Sequence, residues 1–138
     1  MSNYRDIGLV PAPLVAGADL TSRQYRMVAA GSVRNEVILA TGASNPFALG
    51  ALQNSPSSGD AAEVVMLGFA KAAVRVSTCN LVYGRYLVTA SDGFLEVAAT
   101  AGSPVCARYH GQTISTAGAS ANQEVFLFGI TACGVAAS

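Results

Sequence analysis

Residues 86–99 read Tyr86-Leu87-Val88-Thr89-Ala90-Ser91-Asp92-Gly93-Phe94-Leu95-Glu96-Val97-Ala98-Ala99. Two short runs of aromatic, aliphatic and β-branched residues flank Asp92-Gly93. Asp-Gly between such runs is a strong hairpin signal, because the turn needs positive φ and Gly adopts it at no steric cost. In the second run Leu95 and Val97 share one face and Glu96 takes the other, the period of two of a half-buried strand. The stretch predicts an antiparallel hairpin, Tyr86–Ala90 with Phe94–Ala99.

Outward from this hairpin the same pattern recurs, with short apolar runs punctuated by Gly, Ser, Asn, Pro and Asp. Further strands are expected at Gln24–Ala30, Asn35–Ala40, Phe47–Gln53, Glu63–Phe69, Ala72–Thr78, Val105–His110 and Glu124–Ile130. In Ala73-Val74-Arg75-Val76-Ser77 the two valines share a face. Glu124-Val125-Phe126-Leu127-Phe128 is apolar on both faces after its first residue, so it must be either central or covered outside by a partner. Asn54–Asp60 and Gly111–Asn122 read as loops. Pro11 and Pro13 fix φ and bias their predecessors toward extended backbone. Residues 1–20 therefore read as an extended N-terminal arm and 21–138 as the core domain. The expected fold is all-β, a single-domain β-sandwich or barrel-like fold with that arm. The arm, Tyr4–Asp19, is extended and apolar without a partner face of its own, and removing residues 1–18 is expected to leave the fold intact.

Of 138 residues only 12% are Asp, Glu, Lys or Arg, while 51% are hydrophobic. An average soluble protein carries roughly 25% charged residues. So few ionic groups on so small a domain imply that part of its surface is covered, by copies of itself or by a larger assembly. Eight basic and eight acidic residues cancel, and Lys71 is the sole lysine. Nucleic acid is not expected as a partner, since its binding needs clustered Lys and Arg for phosphate contacts. No membrane partner is expected either: a spanning helix needs ~20 nearly continuous apolar residues, and every such window here is interrupted. Nor does the start resemble a signal peptide, with Arg5 beside Asp6 and two prolines in the apolar run.

The search for chemistry returns no catalytic, cofactor-binding or metal-binding residues. His110 is the one histidine, and no G-x-S-x-G elbow accompanies it; Gly42-Ala43-Ser44-Asn45 fails at the final glycine. Cys106 precedes His110 by four residues, a spacing that separates two side chains on a strand by about 13 Å, too far for a thiolate–imidazole pair. Asp60 with Glu63, and Asp92 with Glu96, read as turn and strand acids rather than a hydrolytic pair. Asn54–Asp60 has oxygen acceptors but one acid, short of a calcium loop. Cys79, Cys106 and Cys133 lack metal-ligand spacing and are expected to be free thiols, mostly buried.

The stretch Gly50-Ala51-Leu52-Gln53-Asn54-Ser55-Pro56-Ser57-Ser58-Gly59-Asp60-Ala61-Ala62-Glu63-Val64 resembles a segment of the small head-decoration, or cement, proteins of tailed bacteriophages. In those a Gly-x-Leu-Gln-Asn-x-Pro strand is followed by Gly-(Asp/Glu)-x-Ala-x-Val. The likeness continues in Gly68 before Lys71–Val76, in Gly84-Arg85-Tyr86-Leu87 with the Asp92-Gly93 hairpin, and in Leu14–Tyr25 at the start. It spans most of residues 14–130, and departs at Arg108–Asn122, which is longer and rich in Gly, Ser, Thr and Ala. The resemblance implies a non-enzymatic virion protein made in the host cytoplasm. It would form a homo-oligomer, a trimer, on the outer capsid and clamp the major capsid protein, with no cofactor. A different class, a sugar- or ligand-binding β-sandwich, would use exposed rings, for which Tyr83, Tyr86 and Tyr109 are available.

Overall fold

The computed structural model describes residues 13–42, 48–99 and 105–128. The chain is all-β: β1 (Leu14–Ala16), β2 (Met27–Ala30), β3 (Glu36–Leu39), β4 (Ala48–Leu52), β5 (Ala61–Ala62), β6 (Val64–Val65), β7 (Gly68–Arg75), β8 (Tyr86–Thr89), β9 (Leu95–Val97), β10 (Ala107–Tyr109) and β11 (Ser120–Leu127). Among the described residues no helix is long and apolar enough to cross a membrane.

The strands form two sheets. β7–β11 close into a five-stranded barrel in the order β10-β11-β7-β9-β8, and β1–β6 form a sheet in the order β5-β1-β3-β2-β4-β6. Only Glu63 separates β5 from β6, so one stretch of chain borders both edges of that sheet and it curls into a second, smaller barrel. Closure removes the exposed edges that invite unwanted pairing.

Counting β5 and β6 as one broken strand, both barrels have the same topology. The first strand runs parallel to the third in each, β1 with β3 and β7 with β9. Second pairs antiparallel with third and fourth, and the fifth returns to the first. Hydrogen bonds match as well. Tyr25 donates to the Leu52 carbonyl at 2.6 Å and Gly84 to Tyr109 at 2.8 Å, each donor with positive φ and each acceptor ending the fourth strand. Leu20 donates to Pro56 at 3.0 Å and Leu81 to Ile114 at 2.9 Å; Gly59 donates to Ala16 at 2.8 Å and Gly118 to Val76 at 3.1 Å. Ala40 donates to Met27 and Ala98 to Tyr86, both at 3.0 Å. The chain is a tandem pair of one barrel.

Each barrel buries an alternating inner face. Ala16, Leu20, Val28, Val37, Leu52 and Ala62 fill the first, and Val74, Val76, Leu81, Leu87, Leu95, Tyr109, Val125 and Leu127 fill the second. Met27, Ala29, Ala40, Ala48 and Ala51, on the outside of the first barrel, join the second barrel's buried cluster, so the two barrels share a dry junction. A bulge between β2 and β4 lets Ala48 and Ala51, three residues apart, share that face. Arg26 anchors the junction, donating from Nη1 to the Asp92 carbonyl at 2.7 Å and lying over the Phe94 ring at 4.0 Å. Partial burial, then the nearby Arg23 cation, lowers its pKa from the ordinary value.

The hairpin at 86–99 forms as its residues predict: β8 and β9 pair with Thr89 opposite Leu95, and Asp92 and Gly93 take φ of 58° and 74°. Several boundaries differ from expectation. The strand expected over Glu63–Phe69 is divided, its first part closing the small barrel as β6 and Gly68 opening β7. Ser120–Asn122, expected in a loop, pairs with Arg75–Ala73 and extends β11. Leu14–Ala16 of the expected arm is paired on both sides, with β3 and β5, and Ala16 is buried. Removing residues 1–18 therefore deletes a barrel strand, and a truncation that spares the fold must end before residue 13. The rest of the expected arm, residues 1–12, lies outside the described residues, as do Ala43, Ser44, Asn45, Phe47, Cys133 and the end of the strand expected to reach Ile130.

Candidate functional site

Of the residues that carry the family resemblance, the 50–64 block helps to build the small barrel. Leu52 lies in its core. The Asn54 side chain donates to the Ala61 carbonyl and accepts from the Glu63 amide, both at 3.0 Å. Pro56 is buried, and the positive φ of Gly59, 87°, lets its amide meet Ala16. The block is a staple for β1, and Asn54 spends its side chain on it.

The groups considered for chemistry are not brought together. Cys106 is buried, its sulfur 3.5 Å from Thr89 Oγ1. Burial pushes its thiol pKa up, partly offset by the bonds to Thr89, the reverse of an activated thiolate. Cys79 is half-buried and free. Glu96 pairs with Arg75 at 2.7 Å, while Asp92 forms the turn. Asp60 and Glu63 are exposed at the barrel edge. Among the described residues no three His, Cys, Asp or Glu side chains cluster as metal ligands do. His110 follows β10 with its ring edge-on to Phe69 and Tyr83, 5.1 and 5.0 Å between centroids, and its buried Nε2 has no hydrogen-bond partner.

These rings belong to a larger surface feature that no motif announced. In β11, Val125 and Leu127 point into the second barrel, which turns Phe126 outward. Register places Phe69 on β7 opposite Phe126, Phe126 opposite Arg108 on β10, and Arg108 opposite Tyr86 on β8. Directly opposed residues share a face, so one row crosses four strands. Phe128 extends it, 5.9 Å from Phe126 and 6.0 Å from Tyr86 between ring centroids, and Phe69 meets Phe126 at 5.0 Å. Edge-to-face contacts of this kind lock rings in place. Phe69 is 58% exposed and Tyr83 66%. Tyr109, expected among the available rings, is instead buried in the barrel with its hydroxyl on the Gln112 carbonyl. The sequence showed that the 124–128 segment is apolar on both faces. It could not show that Phe69, Tyr86 and His110 would meet it, because register decides that.

Chemically the face is a rigid apolar plate with one guanidinium, Arg108, in its row. It suits broad contact with a polypeptide surface, where aromatics and Arg dominate binding. Neither a scan against family models nor a search of curated proteins found a match for the chain.

Proposed function

We propose that this chain is a virion structural protein of the capsid-decoration, or cement, class. It forms a homo-oligomer, a trimer, on the outer capsid and clamps adjacent major capsid subunits. The observation that carries the reading is the row Phe69–Phe126–Arg108–Tyr86 on the outside of a barrel whose own core is already complete. Intramolecular stability does not call for those rings, and their exposure is favourable only if something covers them. The scarcity of charge and the residues of the 50–64 block support the same reading. A clamp engaging several subunits gains avidity because later contacts become intramolecular, and binding only the assembled shell stabilises that shell by mass action.

The test is co-sedimentation with undecorated tailed-phage capsids, beside mass measurement in solution. The expected result is saturable binding that raises the capsid's disruption temperature and persists in 1 M NaCl, because an apolar contact is not screened. A chain that stays monomeric at every concentration and binds no capsid sinks the reading. The ligand-binding alternative draws on one observation, Tyr83 exposed beside His110. A glycan array bound through Tyr83, and lost in Tyr83→Ala, would favour it.

A further inference from the structure

Where the two barrels meet they leave a cavity of about 310 Å³, lined by Ser22, Gln24, Arg26, Phe94, Ser120 and Asn122. Its walls come from the segment before β2, from the β8–β9 connection and from the start of β11, so both barrels contribute. Sites for small groups gather at such junctions between folding units. Asn122 stands opposite Ala73 on β7. The short, buried Ala73 side chain lies at the same cavity and leaves it open where a larger residue would fill it.

The Phe94 ring carries two guanidiniums, Arg26 at 4.0 Å and Arg75 at 4.6 Å from its centroid. The two are not equivalent. Arg75 donates from Nε to Glu96 Oε2 at 2.7 Å and from Nη2 to Ser91 Oγ at 3.2 Å. Arg26 donates from Nη1 to the Asp92 carbonyl, a neutral acceptor, and among the described residues no carboxylate lies within ion-pair distance of it. Burial, then Arg23, lowers its pKa; Asp92 acts the other way, and Arg75 adds to the lowering. Three guanidiniums thus meet two carboxylates, Asp92 and Glu96, and one positive charge stays unbalanced at the cavity wall. A half-buried charge without a counter-ion is unfavourable.

From this charge imbalance in a walled cavity we infer that the junction binds a carboxylate group, held by Arg26. The guanidinium fork matches two carboxylate oxygens, and the hydroxyls of Ser22 and Ser120 and the amide of Asn122 are neutral donors on the same walls. A cation is repelled by the three arginines. A dianion brings one negative charge more than the site balances. The carboxylate can belong to an acidic side chain of a partner protein or to a free carboxylic acid, and in either case it bridges elements of both barrels. The inference goes beyond the proposed function and needs neither a capsid nor self-association.

Heteronuclear NMR of the whole chain tests it by following the Arg26 Nε–H and Asn122 side-chain amide signals. Sodium acetate, and separately a blocked glycine peptide with one central glutamate, are titrated at constant ionic strength. Both should shift the two signals saturably, with half-saturation at about 1–10 mM, the range for a single charge-assisted contact; the glutamine analogue of the peptide should shift neither. Tighter binding of the peptide than of acetate assigns the carboxylate to a partner protein, and the reverse order assigns it to a free acid. Arg26→Gln should weaken binding of either probe by at least about tenfold. Because Arg26 also anchors the junction, Asn122→Asp is the second variant, at an exposed position. Its own carboxylate should move the Arg26 signal without any ligand and exclude acetate, with circular dichroism unchanged. The inference is overturned if the natural chain shows no saturable shift, if inorganic phosphate shifts it as acetate does, or if Asn122→Asp still binds acetate. None of these outcomes bears on capsid binding, so the decoration reading stands or falls separately.

Discussion

Gly50 shows how a single residue holds the small barrel closed. A Cβ there would sit 2.2 Å from the Val65 carbonyl oxygen and 2.9 Å from Val64 Cγ1, so β4 and the closing segment can approach only around a hydrogen. Gly50→Ala should destabilise the protein by about 1–3 kcal/mol, the usual cost of overpacking, read as a lower urea midpoint at unchanged slope. Cys106 makes a second prediction. Burial raises its pKa above the ordinary 9.0 and raises that of Tyr109 above 10.0. The unfolded chain therefore loses these protons first. The stabilisation is fully present below the unfolded values and declines as pH rises through 9 and then 10 toward the folded ones. Urea unfolding across pH 7–11 should show this alkaline decline, and Cys106→Ala should remove its earlier step. At this scale the sequence was legible in part. Asp92-Gly93 announced its turn, but Tyr25 at φ of 70° did not, since nothing in a tyrosine signals a left-handed backbone.

β11 is the element on which fold and proposed function divide by alternate residues. Leu127 faces the barrel core at 1% exposure, and Leu127→Ala should cost about 2–5 kcal/mol, the range for emptying a buried leucine site. Phe126→Ser, one residue away, removes half-exposed area only. It should cost under about 1.5 kcal/mol, because the ring keeps partial solvent contact in the folded state, while weakening association. Thermal denaturation and light scattering on the same two variants separate these effects; an equal loss of stability in both would remove the division. The apolar double face of 124–128 was readable from the residues. The first half of the strand was not, since Ser120-Ala121-Asn122 has low β-propensity and is recruited by pairing with β7, where context outweighs propensity. Leu14–Ala16 was likewise obscured by the prolines before it, and its place between β3 and β5 depends on partners far along the chain.

For the whole molecule, one buried cluster includes outer residues of the first barrel and the core of the second. Neither barrel can open without exposing part of the other's cover. Unfolding by urea should therefore be a single transition with coincident circular dichroism and tyrosine fluorescence, as for other small cooperative domains. Two separated transitions would mean the junction contributes little. By itself the sequence determined that the chain is all-β, that it turns at Asp92-Gly93, and that it is poor in charged residues for its size. Those properties are local: they follow from period-two patterning, turn chemistry and composition. Only the tertiary structure decided that the strands close into two copies of one barrel, and that Phe69, Tyr86 and Phe126 stand in one row. Register and closure join residues dozens of positions apart, and the paired barrels match in backbone hydrogen bonds while their side chains differ, as Leu52 does from Tyr109 and Met27 from Tyr86.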